Sequence, residues 1–132
     1  MKSGTRAGDV MSSPVRSLSM DATLREAAAL LVAGAVSGVP VLDEEGRATG
    51  VFSLRDLANY LIDTASPRSW DVRVSEIMTH RVITVPPDAT IEEVMSAMNK
   101  YGVHRVFVEK TSGELAGVVS ASDLVRTGLS AR

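Results

Sequence analysis

Two short stretches of the chain carry residues that could do chemistry. One reads Gly50-Val51-Phe52-Ser53-Leu54-Arg55-Asp56-Leu57, the other Gly117-Val118-Val119-Ser120-Ala121-Ser122-Asp123-Leu124. Each sets a glycine and two apolar β-formers before a serine, with an aspartate three positions further on. The pattern predicts the end of a strand running into the start of a helix. There the serine serves as N-cap and the aspartate as its N3 partner, a pairing worth about 1 kcal/mol. The same groups suit a ligand. A carboxylate and a hydroxyl beside solvent make hydrogen bonds, and the free N–H groups of a helix start favour a phosphate. Spacing alone favours the cap, and the two uses are compatible, because a capping serine can also touch a ligand.

The two stretches lie 67 positions apart, and that offset organises the chain. Sliding the sequence by 67 lays Met11–Leu57 on Met78–Leu124 without a gap, with 15 of 47 positions identical. The identities include Met11/Met78, Asp21/Asp88, Thr23/Thr90, Glu26/Glu93, Gly50/Gly117, Ser53/Ser120 and Asp56/Asp123. An internal repeat sets the architecture before any local reading does. Each copy starts with an extended stretch, Val15–Leu18 or Val82–Val85. A capping box follows, Thr23-Leu24-Arg25-Glu26 or Thr90-Ile91-Glu92-Glu93. Apolar residues then recur at helical spacing: Leu24, Ala27, Ala28, Leu31, and Ile91, Val94, Met95, Met98. Gly34 and Gly102 are the expected helix stops. Strands are predicted over Val39–Leu42 and Thr49–Phe52, and over Val106–Glu109 and Leu115–Val119. Their loops, Asp43–Gly46 and Lys110–Gly113, are polar and end in glycine. The second helix of each copy starts at Ser53 or Ser120.

The expected fold is therefore α/β (α+β): two β-α-β-β-α repeats packed with pseudo-twofold symmetry, since one unit of about 50 residues buries too little apolar surface alone. The repeats are placed at 8–62 and 74–127, with a linker at 63–73. Residues 1–9 and 127–132 are read as frayed ends or short flanking turns. In the linker, Trp70 either pins the segment to the body or faces a partner.

Composition narrows the function. Of 132 residues, 45% are hydrophobic and 23% charged, which are globular values. A net charge of −2 and 4% aromatics argue against nucleic-acid binding, which needs basic grooves and stacking platforms. The absence of cysteine excludes disulfides and thiolate metal sites. His80 and His104 have no acid at ligand spacing, so no metal site is expected. The longest apolar run, Ala27–Val36, is too short to span a bilayer, and no apolar stretch follows the early positive charges as in a signal peptide. A cytoplasmic protein is the default expectation. No nucleophile stands beside a base and no P-loop is present, so no enzymatic activity is expected.

Taken together, the motifs resemble the CBS domain family, named after cystathionine β-synthase. The resemblance rests on Val10-Met11-Ser12 with Ile77-Met78-Thr79, on Pro87-Asp88-Ala89-Thr90-Ile91, and on Val36-Ser37-Gly38-Val39-Pro40-Val41. Tyr101-Gly102-Val103-His104-Arg105-Val106 and the twin Gly-x-x-Ser-x-x-Asp-Leu complete it. Each motif is weak alone; in order and duplicated they are strong, and they cover nearly the whole chain. The resemblance implies a stand-alone pair of such domains, self-associating as a disc-like homodimer. It implies a regulatory, energy-sensing module that binds adenosyl compounds, such as AMP, ADP or ATP, in clefts between the copies. S-adenosylmethionine and NAD are alternative ligands. No cofactor is required, and the regulated protein partner is unidentified. A dimerising interaction module with empty or blocked pockets is the competing reading.

On that resemblance, Asp56 and Asp123 would accept the vicinal hydroxyls of a ribose, and Ser53 and Ser120 would bond sugar or phosphate. Val39, Pro40, Val106 and Phe107 would sandwich the base. One pocket would combine Ser12, Ser13 and Arg16 and the Ser37-Gly38-Val39-Pro40 segment with His104, Ser120 and Asp123. The other would combine Thr79, His80 and Ile83 and the His104-Arg105-Val106-Phe107 segment with Ser37, Ser53 and Asp56. Arg16 stands where the second copy has Ile83, and reaches either a phosphate or water. Phe107 replaces Pro40 and either stacks on a base or fills the pocket. Arg105 has two readings of equal weight: a fork of donors for phosphate, as in the similar His-Arg pair of the regulatory subunit of AMP-activated kinase, or a surface salt bridge. His80 reads as an exposed loop residue.

Overall fold

The computed structural model describes residues 4–34, 36, 38–63 and 69–130. The chain divides into two compact units: Arg16–Val82, and Met1–Val15 together with Ile83–Arg132. The first unit holds β1 (Leu18–Ser19), α2 (Leu24–Gly34), β2 (Gly38–Leu42), β3 (Ala48–Ser53), α3 (Leu54–Ile62) and a 3-10 turn at Val74–Glu76. The second holds α1 (Ala7–Val10), β4 (Thr84–Val85), α4 (Ile91–Tyr101), β5 (Arg105–Glu109), β6 (Leu115–Ser120) and α5 (Ala121–Ser130). Each unit has a three-stranded sheet with one topology: β1 parallel to β2 and β2 antiparallel to β3, then β4 parallel to β5 and β5 antiparallel to β6.

Local sequence accounts for these elements. The hairpin loops turn on Gly46 (φ 80°) and Gly113 (φ 89°), a left-handed conformation that costs glycine nothing. Asp43 supports the first loop, its Oδ1 accepting the N–H groups of Glu45 and Arg47 at 2.9 Å each. At the start of α4, the Thr90 N–H donates to Glu93 (3.0 Å) and the Glu93 N–H donates to the Thr90 hydroxyl (3.1 Å). Thr23 and Glu26 repeat this box on α2. The predicted apolar faces enter the cores, with Leu24, Ala27 and Leu31 buried in one unit and Val94 and Met98 in the other. Val39 and Val41 meet the first set, Val106 and Val108 the second.

Several expectations are corrected. The first strand is Leu18–Ser19 rather than Val15–Leu18, and the fourth only Thr84–Val85, because parallel pairing reaches just two residues of β2 or β5. Gly102 ends α4 at φ 63°, but Gly34 is simply the last helical residue of α2. Of the two forms expected for the flanks, the described residues adopt the turn. Ala7–Val10 forms a helical turn whose Ala7 is fully buried, and α5 continues to Ser130. Ala7 and Gly8 donate to the carbonyls of Ala89 and Pro87 at 2.8 Å. The 3-10 turn does the matching job in the first unit, where Val74 donates to the Ala22 carbonyl at 2.7 Å. At the end of the linker the anchor is Tyr60, whose hydroxyl accepts the Ser69 N–H (2.8 Å) and donates to the Ser69 carbonyl (2.9 Å). Trp70 is 36% exposed, and its backbone carbonyl accepts the Arg25 N–H at 3.0 Å.

A backbone contact closes each unit. Val51 and Thr79 exchange both N–H···O bonds (2.9 Å each), as do Val118 and Ser12 (2.9 and 3.1 Å). These contacts set Met78-Thr79 across Gly50, and Met11-Ser12 across Gly117. A Cβ on Gly50 would fall 2.7 Å from the Thr79 carbonyl oxygen and 2.6 Å from the Met78 sulfur. On Gly117 it would fall 2.9 Å from the Ser12 oxygen. Glycine is required by this approach.

Gly50→Ala and Gly117→Ala are therefore each expected to destabilise by about 1–3 kcal/mol, the cost of overpacking against backbone. Gly128→Ala on α5, where nothing lies within 4 Å, is expected to be neutral or stabilising. Urea unfolding of the three variants checks this.

A second expectation concerns pH. The Thr90 backbone N–H, then its hydroxyl, hold the Glu93 carboxyl below its ordinary value of 4.5. A lowered folded-state pKa contributes stability that is present above that ordinary value and lost as pH falls through the lowered one. Glu93→Gln keeps an acceptor oxygen but cannot titrate, so its Tm is expected to fall less steeply than wild type below about pH 4.5. Thermal unfolding of both proteins across that range is the measurement.

Candidate functional site

In the first unit, Ser53 ends β3 and caps α3. Its N–H (2.9 Å) and hydroxyl (3.0 Å) both donate to Oδ2 of Asp56, and the Asp56 N–H returns to Ser53 Oγ at 3.2 Å. The other carboxylate oxygen, Oδ1, accepts the Thr79 hydroxyl at 2.9 Å. The strand segment closing over Gly50 thus delivers Thr79 to the carboxylate.

The second unit repeats the cap but not its surroundings. The Ser120 N–H donates to Asp123 Oδ2 (2.8 Å), and the Asp123 N–H donates to Ser120 Oγ (3.1 Å). Ser12 occupies the place of Thr79, held by its backbone to Val118. Oδ1 of Asp123 faces Arg126 Nη1 at 3.4 Å. The Asp123 side chain is 11% exposed and that of Arg126 71%. A cavity of about 290 Å³ opens here, lined by Val10, Ser12, Asp123, Arg126 and Thr127. A larger hollow of about 450 Å³ lies on the outer face of α4, lined by Glu92, Glu93, Ser96, Ala97, Lys100 and Tyr101. None of those residues belongs to the Ser–Asp edge.

The remaining sequence-predicted residues fall into three groups. Some adjoin the edge of their own unit: Gly38 pairs with Ser53 and Arg105 with Ser120, and the His104 carbonyl accepts the Ala121 N–H at 2.9 Å. Others are exposed on loops: Ser13 and His80. Arg16 is also exposed, and its guanidinium lies against Gly34 at the end of α2, where a Cβ would collide with it. That end of a helix favours a cation.

In the third group Val39, Pro40, Val106 and Phe107 are buried and Ile83 is half-buried. Val39 and Val106 point into the cores of their units, because strand alternation places them beside Val41 and Val108 on the helix-facing side. Pro40 and Phe107 alternate to the other face yet are also buried, Phe107 being 3% exposed. Ile83 packs against the core of the second unit and gives its carbonyl to the Phe107 N–H. Ser37 lies outside the described residues. In each carboxylate Oδ2 belongs to the helix cap, while Oδ1 accepts the Thr79 hydroxyl in Asp56 and faces Arg126 in Asp123. Val10, Arg126 and Thr127 were not singled out as site residues. Arg126 was detectable as a cation three residues after Asp123 where the first copy has Asn59.

Comparison with known proteins places this geometry. The CBS domain model matches twice, over residues 7–63 and 74–130. The chain belongs to the CBS domain family. It is a tandem pair of CBS domains. It is 31% identical to the uncharacterized protein MJ1232 of Methanocaldococcus jannaschii over 121 residues, covering 92% of this chain but 38% of that protein. It is 30% identical over 116 residues to the CBS domain-containing protein YhcV of Bacillus subtilis, covering 88% and 80%. The first curated relatives are longer proteins, of which this chain spans less than two-fifths. Among solved structures, the CBS domain pair of protein MJ0100, in complex with 5′-methylthioadenosine and S-adenosyl-L-methionine, superposes with a TM-score of 0.82. Its identity is 26%, over 97% of this chain and 98% of that one. Among the described residues of this CBS pair, no helix is long and apolar enough to cross a membrane. No group of three or more His, Asp or Glu residues there could hold a metal ion.

The two edges of the CBS pair should respond differently to loss of the residue facing the carboxylate. Thr79→Val removes a hydroxyl bonded to a carboxylate and is expected to cost about 1 kcal/mol. Ser12→Ala, whose hydroxyl does not face a carboxylate partner, is expected to stay within about 0.5 kcal/mol of wild type. Paired denaturation curves test the difference.

Proposed function

We propose that this CBS pair is a non-catalytic regulatory module that binds an adenosyl compound at its Ser–Asp edges. The observation that carries the reading is the Asp123 carboxylate, which lines an open cavity of about 290 Å³, with Oδ2 fixed by the helix cap and Oδ1 facing Arg126 at 3.4 Å. A carboxylate held in one orientation accepts a sugar hydroxyl without first losing side-chain freedom. The likeness to a pair in complex with two adenosyl compounds supports the ligand class. Within that class AMP, ADP and ATP are favoured, with S-adenosylmethionine and NAD as alternatives. We place the module in the cytoplasm as a homodimer that passes ligand occupancy to a protein partner. A ligand does this only through different affinities for two conformations.

One observation favours an interaction module with blocked pockets. The side chains expected to sandwich a base, Val39, Pro40, Val106 and Phe107, are all buried. Under the binding reading, base recognition falls to backbone groups and edge residues.

A thermal-shift panel of AMP, ADP, ATP, S-adenosylmethionine, 5′-methylthioadenosine and NAD separates the two. Binding at 100 times Kd is expected to add about 2.7 kcal/mol of stability. Asp123→Asn is expected to abolish most of the shift. No shift with any compound would establish the interaction reading, and a shift that survives both Asp56→Asn and Asp123→Asn would remove the aspartates from the site.

A further inference from the structure

The two Ser–Asp edges are built from matching positions of the repeat, yet their outward carboxylate oxygens are occupied differently. In the first unit, Asp56 Oδ1 is taken at 2.9 Å by a neutral hydroxyl of the protein, and Oδ2 already accepts two donors from Ser53. In the second unit, Asp123 Oδ2 accepts the Ser120 N–H, and Oδ1 faces Arg126 Nη1 at the long distance of 3.4 Å. The serine in Thr79's place, Ser12, lines the cavity. Arg126 lines it too, with its side chain 71% exposed. The equivalent position in the first copy is Asn59, which carries no charge.

From this difference we infer that Arg126 determines ligand specificity at the second-unit edge, selecting a nucleoside that carries an anionic phosphate. The inference rests on the adenosyl-binding reading above and deepens it. The contact is long at 3.4 Å and its guanidinium is 71% exposed, so a sugar hydroxyl can take the guanidinium's place at Oδ1 of the largely buried carboxylate. The displaced guanidinium stays in the cavity wall, anchored through its own helix. It then meets a phosphate on the same ligand with paired N–H donors. The carboxylate reads the sugar and the guanidinium reads the charge. A neutral nucleoside gains only the first contact, and a cationic adenosyl compound is repelled by the second. The first-unit edge, its carboxylate occupied by Thr79 and Ser53 and with Asn59 in the place of Arg126, makes no such selection through this position.

Calorimetric titration of AMP, adenosine and S-adenosylmethionine into wild type and Arg126→Asn tests this. Arg126→Asn copies the other edge, and the position is exposed on α5, so the variant is expected to fold. Wild type is expected to bind AMP at least roughly tenfold tighter than adenosine, the factor one charge-assisted hydrogen bond supplies. The AMP advantage is expected to shrink as salt rises. In the variant the AMP-to-adenosine ratio should fall toward one, and S-adenosylmethionine should gain on both. Adenosine binding without an AMP preference in wild type would overturn the inference while leaving the adenosyl reading intact. An unchanged ratio in the variant would overturn it too, as would loss of both ligands, which would make Arg126 a builder of the site. Failure of all three compounds to bind wild type would instead sink the adenosyl reading itself.

Discussion

The structure depends on the close passage of two backbones. Met78-Thr79 crosses Gly50, and Met11-Ser12 crosses Gly117, near enough that no Cβ fits between them. Each crossing is stitched by a reciprocal pair of backbone hydrogen bonds. Four features follow from it. It fixes glycine at the head of each repeated motif, and it seats a methionine whose flexible thioether fills the remaining gap. It brings a hydroxyl residue, Thr79 or Ser12, to the mouth of the Ser–Asp edge. It also defines the compact units, because residues 7–12 complete the unit formed by the second repeat and residues 74–79 complete that of the first. The glycine and the Met–hydroxyl pair, far apart in sequence, are consequences of one approach.

How much of this was legible in the sequence depended on the range of the interaction. Capping boxes, apolar helix faces and glycine turns are written within eight residues, and they were readable: Thr90 with Glu93, Leu24 with Leu31, Gly113 in its loop. The repeat supplied the topology, since any reading of one copy had to hold for the other. The edge residues Ser53, Asp56, Ser120 and Asp123 were legible for the same reason. The crossing was not, because Gly50 and Thr79 are partnered only in three dimensions. The flanking turn at Ala7–Val10 was legible only as one of two forms, although Arg6 matches Arg73 at the same offset, so extending the comparison upstream selects it. The burial of Val39, Pro40, Val106 and Phe107 was less legible, because a strand with its two faces covered shows no alternation to read. Phe107 and Val106 look alike in sequence and lie on opposite faces.

The edge answers a problem common to binding modules, which must hold their shape when empty yet offer unsatisfied groups to a ligand. Here the two oxygens of a single carboxylate are divided. Oδ2 is spent on the helix N-terminus, where a buried donor without a partner would be costly. Oδ1 meets a side chain instead: the Thr79 hydroxyl at Asp56, and the more distant Arg126 at Asp123. Capping and the proposed ligand contact therefore fall to different oxygens, most clearly at Asp123.

Division of the carboxylate also shows how binding could be felt elsewhere in the chain. The cavity in the second unit has one wall from Val10 and Ser12 and another from Asp123, Arg126 and Thr127. The first wall lies near the start of the chain and the second near its end, so closing this unit costs the entropy of a long loop that contains the whole first unit. The first unit is a contiguous stretch and bears no such cost. A molecule bound across both walls would favour the closed arrangement over any in which the N-terminal segment has lifted away. By linkage, a surface exposed or covered by that segment would then follow ligand concentration. Duplication supplied two similar edges, but the order of the chain made only one of them depend on joining its ends.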